Sequence, residues 1–476
     1  MKKNFINGEF VAGANTTLNI NPSDLSDVIG EYAQANRVQA EIAIAAASKA
    51  FPAWASGNLQ ARSDALDFIG NEIIARKAEL GDLLAREEGK TLVEAIGEVT
   101  RAGQIFKFFA GEVLRLRGDK LASPRPNVEV EVTREPVGVI GIITPWNFPV
   151  AIPAWKIAPA LAYGNTVVFK PADLVPGSAW ALAEIISRSG IAPGVFNLVM
   201  GRGSEVGQAM LDDPRVTGIT FTGSVATGQR VMQATSARFA KVQLEMGGKN
   251  PLVVLDDADL AQAVNVAIQS AYYSTGQRCT AASRFIVQKG IYGRFVGLLA
   301  ERLQALRIDD ARLPGTDIGP VVDRSQLLHD LGYINLGLDE GATLAFGGER
   351  LTRNTDGFYL SPALFTEAHN GMRIAQEEIF GPVACAIPVA SYDEALAVAN
   401  DTAFGLSAGI CTTSLKFASH FKRNVQAGMV MVNVPTAGVD YHVPFGGRKG
   451  SSYGSREQGS YAAEFYTTVK TSYTLG

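Results

Sequence analysis

The chain has little of the chemistry that small secreted or metal-binding proteins rely on. Its 476 residues include only three cysteines, Cys279, Cys385 and Cys411, and four histidines, His329, His369, His420 and His442. A sparse, odd cysteine count excludes a disulfide framework and suits a reducing cytoplasm. The histidines are scattered and no Cys/His cluster has zinc-site spacing, so no metal site is expected. A basic stripe is also missing. The formal net charge is -4, which gives a nucleic-acid partner little electrostatic support. Long apolar runs are absent too. Met1–Gly8 carries charge with no apolar run behind it, unlike a signal peptide. The most apolar window, Val137–Trp155, is broken by Pro145, Asn147, Pro149 and Pro153. It reads as strand plus loop, and no membrane association is expected.

What is present is an ordinary globular balance, with 47% hydrophobic and 19% charged residues. A chain this long is expected to form two or three domains. Residues 38–115 read mainly as helices, with Leu66, Ile69, Ile73 and Ile74 at helical spacing. Val128–Arg134 alternates with period two, the mark of a strand with one face in water. Short apolar runs then alternate with helical segments: Val137–Ile143, Thr166–Phe169, Val195–Val199, Val216–Phe221 and Pro251–Leu255. That repetition implies an α/β fold with a parallel sheet covered on both faces. A second series begins near Asp259, with a helix over Leu260–Ser270, a strand over Arg284–Val287 and a helix over Tyr292–Leu306. Gly247-Gly248 falls between the two series as a candidate hinge, and Thr467–Tyr473 alternates again as an added strand.

Five short segments carry chemistry. Thr222-Gly223-Ser224 leads from a strand through Gly-x-x-x-x-Gly into a helix, a shape that cradles phosphate or is simply a tight turn. Lys170 and Asp173 follow a strand end, where they suit ribose hydroxyls or form a solvated pair. Cys279, in Gly276-Gln277-Arg278-Cys279-Thr280, is either a nucleophile or a buried structural thiol, and Arg278 beside it would favour the thiolate only where the adjacent side chains point the same way. Glu245, ending an apolar stretch, is a general base or a salt-bridged edge residue. Asn147, in Pro145-Trp146-Asn147-Phe148-Pro149, is an oxyanion donor or a turn residue.

Together these segments, with Glu377-Glu378-Ile379-Phe380-Gly381-Pro382, resemble the NAD(P)-dependent aldehyde dehydrogenase superfamily, in order and across almost the whole chain. The resemblance implies an aldehyde dehydrogenase-like fold: two parallel-sheet α/β domains and a small β oligomerisation element. Residues 1–117 and 136–246 would bind dinucleotide, 247–456 would carry the cysteine, and 118–135 with 457–476 would form oligomerisation strands of a homodimer or homotetramer. It implies Cys279 as nucleophile, Glu245 as base, Asn147 as oxyanion donor, and Lys156 as a further active-site residue. Lys170, Asp173, Gly223, Ser224, Glu378, Phe380, Trp146 and Pro145 would hold NAD or NADP.

Finer features resemble the 2-oxoglutarate semialdehyde (2,5-dioxopentanoate) dehydrogenases: Thr275–Thr280 and Thr436–Gly450. Succinate semialdehyde dehydrogenases are the runner-up. The arginines that hold a carboxylate in those enzymes are replaced here by Trp155 and Tyr273. With Phe148, these two suit an apolar or aromatic aldehyde, and Arg278 is the nearest candidate anchor for a carboxylate. Asp173 stands where NAD-preferring members often have Glu, so NAD and NADP both remain open. An acylating enzyme would usually lack the base, so Glu245 favours hydrolysis.

Overall fold

Strands Val139–Ile143, Thr166–Lys170, Phe196–Leu198, Val216–Thr222 and Lys241–Glu245 are short and joined through helices or longer connections. Such connections carry the chain back across a sheet face, so successive strands run parallel. In the computed structural model, which describes residues 1–476, the five are parallel neighbours. Numbered along the chain, their spatial order is 3-2-1-4-5. Alternate residues enter different cores: Ile140, Ile142, Val167 and Phe169 on one face, Val139, Val168 and Ile219 on the other. Both faces are buried, which is why the first four of these strands read as apolar runs, whereas Lys241–Glu245, with three polar residues in five, did not. Helices Arg37–Ala55, Leu59–Ala75, Lys77–Glu88 and Leu92–Glu112 fill the stretch expected to be helical.

Two additions to this sheet were not legible in the sequence. Asn4–Ile6 and Glu9–Val11 extend one edge, and Ser452–Tyr453 pairs with Leu244 and Glu245 at the other. Strands of two or three residues are too short to show a period.

A second sheet has seven strands. In spatial order they are Thr343–Phe346, Ala363–Thr366, Val383–Val389, Ala282–Gln288, Asn250–Val254, Ser407–Cys411 and Met429–Val432. All neighbours are parallel except the first pair. Only Met246–Lys249 separates the end of Lys241–Glu245 from the start of Asn250–Val254. The carboxyl edge of the first sheet therefore abuts the amino edge of the second. Cys279, just ahead of strand Ala282–Gln288, lies in that seam.

A third, three-stranded sheet places Val128–Pro136 between Asp119–Ala122 and Thr467–Leu475. Its outer C-terminal strand exposes Val469, Tyr473 and Leu475. That strand begins at Thr467; the residues before it serve the first sheet, with Glu457 paired to Lys156 and Phe465 and Tyr466 in its core. No helix is long and apolar enough to cross a membrane.

Candidate active site

The strand order of the first sheet reverses between Val139–Ile143 and Val216–Thr222. Ligands of open parallel sheets bind at such a reversal, outside the carboxyl ends. The loop after Val139–Ile143 carries Pro145, Trp146, Asn147 and Phe148 and rests on a buried ion pair. Lys90 and Glu98, each with a side chain 1% exposed, are 2.7 Å apart. Lys90 Nζ also donates to the Asn147 carbonyl at 2.7 Å and sits 3.6 Å from the centre of the Phe148 ring. Glu98 Oε1 accepts the backbone N–H groups of Val150 and Ala151, at the start of helix Ala151–Ala162. With its backbone held this way, Asn147 donates its amide Nδ2 to the Gln277 carbonyl at 3.0 Å.

The approach to Cys279 is sharply bent. Ser274, Thr275 and Gly276 have φ of 51°, 57° and 66°. A left-handed, β-branched threonine is strained. It is tied down by its Oγ1 donating to the Gly319 carbonyl, and Ser274 Oγ donates to Glu94. Gly276 admits no side chain, because a Cβ there would lie 2.2 Å from the Gly381 carbonyl oxygen. The bend delivers Cys279 to the seam, where it borders two cavities.

The first cavity, about 320 Å³, brings Cys279 together with Pro145, Trp146, Asn147, Gly223 and Ser224. Its far wall holds Glu378 and Phe380. Ser224 caps helix Val225–Ser236 through Thr227 N–H, and the Thr222 Oγ1 on this wall is buried without a partner. The Phe380 ring meets Trp146 edge-on at 5.4 Å. Glu378 accepts the Gly248 N–H at 2.9 Å, and a Cβ on Gly247 would lie 2.2 Å from its other oxygen. The glycine pair read as a hinge is what lets Glu378 come so close. Lys170 and Asp173 stand elsewhere on the same sheet edge, 3.2 Å apart, and Asp173 borders a polar depression with Arg202 and Glu205.

The second cavity, about 270 Å³, is lined by Phe148, Trp155 and Arg278, as expected, and by Phe445, which stacks on Trp155 at 5.3 Å. Tyr273 is a correction. It packs against the core of the second sheet and does not border this cavity. Arg101, on helix Leu92–Glu112, does border it and has no local sequence signal.

Glu245 borders neither cavity. It is buried, and its Oε2 accepts from Ser452 Oγ at 2.6 Å. Lys156 is fully buried, bound to Glu457 and to Thr220 Oγ1. The fold thus gathers Cys279, Asn147 and most of the expected cofactor residues, and sets Glu245 and Lys156 just behind them.

A profile of the Aldehyde dehydrogenase family matches residues 10–472. The chain belongs to the aldehyde dehydrogenase family. It is 44% identical over 472 residues to the alpha-ketoglutaric semialdehyde dehydrogenase of Bacillus subtilis, covering 98% of this chain and 97% of that one. Identity to the alpha-ketoglutarate semialdehyde dehydrogenase of Haloferax volcanii is 43% over 479 residues, covering 99% and 98%. Among solved structures, the betaine aldehyde dehydrogenase of Staphylococcus aureus in complex with NAD+ superposes with a TM-score of 0.97 at 34% identity, covering 100% of this chain and 94% of that one.

In this aldehyde dehydrogenase the acidic groups at the seam all shift toward their neutral forms. Burial, then the charges of Glu245 and Glu378, pushes the Cys279 thiol up to about 12. Burial, then Glu457, holds Glu245 well above the usual carboxylate range. Burial raises Glu378 to about 7, against the Gly248 N–H and Lys249. Arg278 acts on the thiol only through space and does not offset its burial, and its guanidinium donates to the Gln269 carbonyl in the preceding helix.

The Lys90–Glu98 pair generates a test. Lys90→Met strands a buried carboxylate, a loss of about 3–5 kcal/mol. The apparent melting temperature and the rate of aldehyde oxidation should both fall. Lys90→Met/Glu98→Gln leaves no unpaired charge, so it should recover much of the stability but not the rate. Recovery of both would show that the pair does not position Asn147.

Proposed function

We propose that the protein oxidises an aldehyde to a carboxylate with NAD(P)+, and that 2-oxoglutarate semialdehyde is the aldehyde. The observation that carries the chemistry is that Cys279 borders two cavities at once. One suits a dinucleotide: a capped helix start at Gly223–Ser224 for pyrophosphate, the orphaned Thr222 hydroxyl, the Glu378 carboxylate for ribose, and Trp146 and Phe380 for the ring. Lys170 and Asp173 would hold the adenosine ribose. Bound there, the nicotinamide supplies the two-electron acceptor. The other cavity lies below the roughly 300–1,000 Å³ of drug-sized sites, which suits a small aldehyde. The names of the Bacillus and Haloferax relatives support the substrate. The apolar wall of Phe148, Trp155 and Phe445 favours a second reading, an uncharged or aromatic aldehyde.

Cys279 Sγ would attack the aldehyde carbon and give a thiohemiacetal. Asn147 Nδ2 and the Cys279 backbone N–H would donate to its oxyanion. After oxidation, Glu245 would leave Ser452, take a proton from water and let hydroxide cleave the thioester. Lys156 would act through Glu457 and Glu245 without touching substrate. The chain would divide into a dinucleotide-binding part, a cysteine-bearing part and the exposed three-stranded sheet. That sheet's unpaired edge suits pairing between copies in a dimer or tetramer. Three free cysteines suit a cytoplasmic enzyme.

The test of the chemistry is rapid mixing. Glu245→Gln should release about one equivalent of reduced cofactor in a burst and then turn over slowly. Asn147→Ala should lose about 10²–10³-fold in rate, and Cys279→Ala should show no burst. A slow Glu245→Gln enzyme with no burst would count against thioester hydrolysis by Glu245.

The pH dependence follows from the same groups. Cys279 and Glu245 would react as anions, and both ordinary values are raised, so the reactive forms disappear as pH falls. In the free enzyme kcat/KM should therefore keep climbing as pH rises toward the Cys279 value of about 12. A flat profile would contradict the raised values.

A further inference from the structure

We propose that Arg101 is the side chain that binds a carboxylate at the end of the aldehyde remote from the reacting carbon. The inference rests on the semialdehyde reading above and names the group that would recognise such a substrate.

Three cations and two carboxylates border the cavity on this side of Cys279: Lys90, Arg101 and Arg278 against Glu94 and Glu98. Their formal sum is one positive charge, the complement of one carboxylate. Lys90 and Glu98 neutralise each other at 2.7 Å. Arg278 spends one Nη on the Gln269 carbonyl and, like Arg101, keeps a buried Nε without a partner, but Glu94, which no cation binds, balances its charge through space. Glu94 is itself held by Thr91 and Ser274. Arg101 is left without a matched anion.

The environment of Arg101 is built but incomplete. One Nη donates to a neutral acceptor, Gln458 Oε1, at 3.1 Å. Its Nε is buried with no partner. The guanidinium lies 5.7 Å from the centre of the Trp155 ring, which limits how it can turn. Burial pulls most strongly against its charge, and Glu98, Asp440 and Cys279 act on it only through space. A desolvated guanidinium with free donors is costly unless an anion completes it. Its planar fork matches a carboxylate with two parallel hydrogen bonds. Phe148, Ile152, Trp155 and Phe445 give the same cavity apolar sides for a short carbon chain. The cavity therefore joins a thiol, an apolar wall and one uncompensated cation, as an aldehyde with a distal carboxylate requires.

The experiment is the ratio of kcat/KM for 2-oxoglutarate semialdehyde to that for pentanal, an uncharged aldehyde of the same carbon count. The wild-type protein should favour the charged aldehyde. Arg101→Met should lower the ratio about 10- to 100-fold, mainly through KM, as expected for a lost charged hydrogen bond. Arg101→Lys should recover part of it, and Arg278→Met should change it less. A charged preference that survives Arg101→Met places the anchor elsewhere and leaves the semialdehyde reading intact. A wild-type protein with no charged preference overturns both. Equal loss on both aldehydes marks Arg101 as structural and overturns the proposal. If the variants do not fold, the wild-type protein still decides: glutarate should compete with pentanal, whereas neutral glutaramide should not, and equal inhibition by the two overturns the anchor.

Discussion

The site depends on an ion pair that lies out of water. Lys90 and Glu98 are 1% exposed, and taking both charges from solvent is costly enough that such a pair adds little net stability. Its value is positional. Glu98 binds the ammonium with one oxygen and the first N–H groups of helix Ala151–Ala162 with the other. Lys90 binds the Asn147 carbonyl and the face of Phe148. One carboxylate and one ammonium thus fix a loop bearing Asn147, a ring on the second cavity and a helix bearing Trp155 and Lys156. The same loop that borders the first cavity borders the second, so a single device registers both to Cys279.

The second constraint is closeness. The two sheets meet edge to edge across four residues, and the groups that face each other there leave no space for side chains at Gly247 and Gly276. The left-handed Ser274 and Thr275 are strained because the turn must bring Cys279 to the seam without displacing Gly381. Strain of this kind persists only when the surroundings over-determine it, and hydrogen bonds to Gly319 and Glu94 do so here.

What the sequence made legible was local. Apolar runs of four to seven residues located four of the first sheet's five parallel strands, and burial on both faces explains the match. The motifs around Asn147, Gly223, Cys279 and Glu378 were readable because each is a short turn whose residue types are set by one bend or one close approach. Arg101, Lys90, Glu98, Ser452 and Glu457 were not readable. Each comes to the site across tens or hundreds of residues, and nothing near it in the chain differs from an ordinary helix or loop. Tyr273 packs away from the cavity, and Arg278 turns one Nη to the Gln269 carbonyl, for a related reason. Their directions are set by three consecutive positive φ values that residue types alone do not announce. The domain limit at residue 457 likewise cut through Glu457, whose partner Lys156 lies in the first sheet's own helix.

Glu245 shows how placement and protonation work together in the proposed chemistry. Against Ser452 it is buried, with Glu457 close enough to raise its proton affinity. A neutral carboxyl tolerates that position and takes no proton from water near Cys279. Moving toward the thiol would carry it away from Glu457 and into a wetter cavity, which favour ionisation, and away from Ser452, Lys156 and Arg456, which opposes it. With relief from burial dominant, as it is the largest influence, the side chain would become a base only beside the thiol. Water activated before the aldehyde is oxidised would compete with the thiol for it, whereas after oxidation the same water releases the acid. Order in the two proposed half-reactions would then need no separate gate, because the burial that keeps Glu245 away also favours its protonated form.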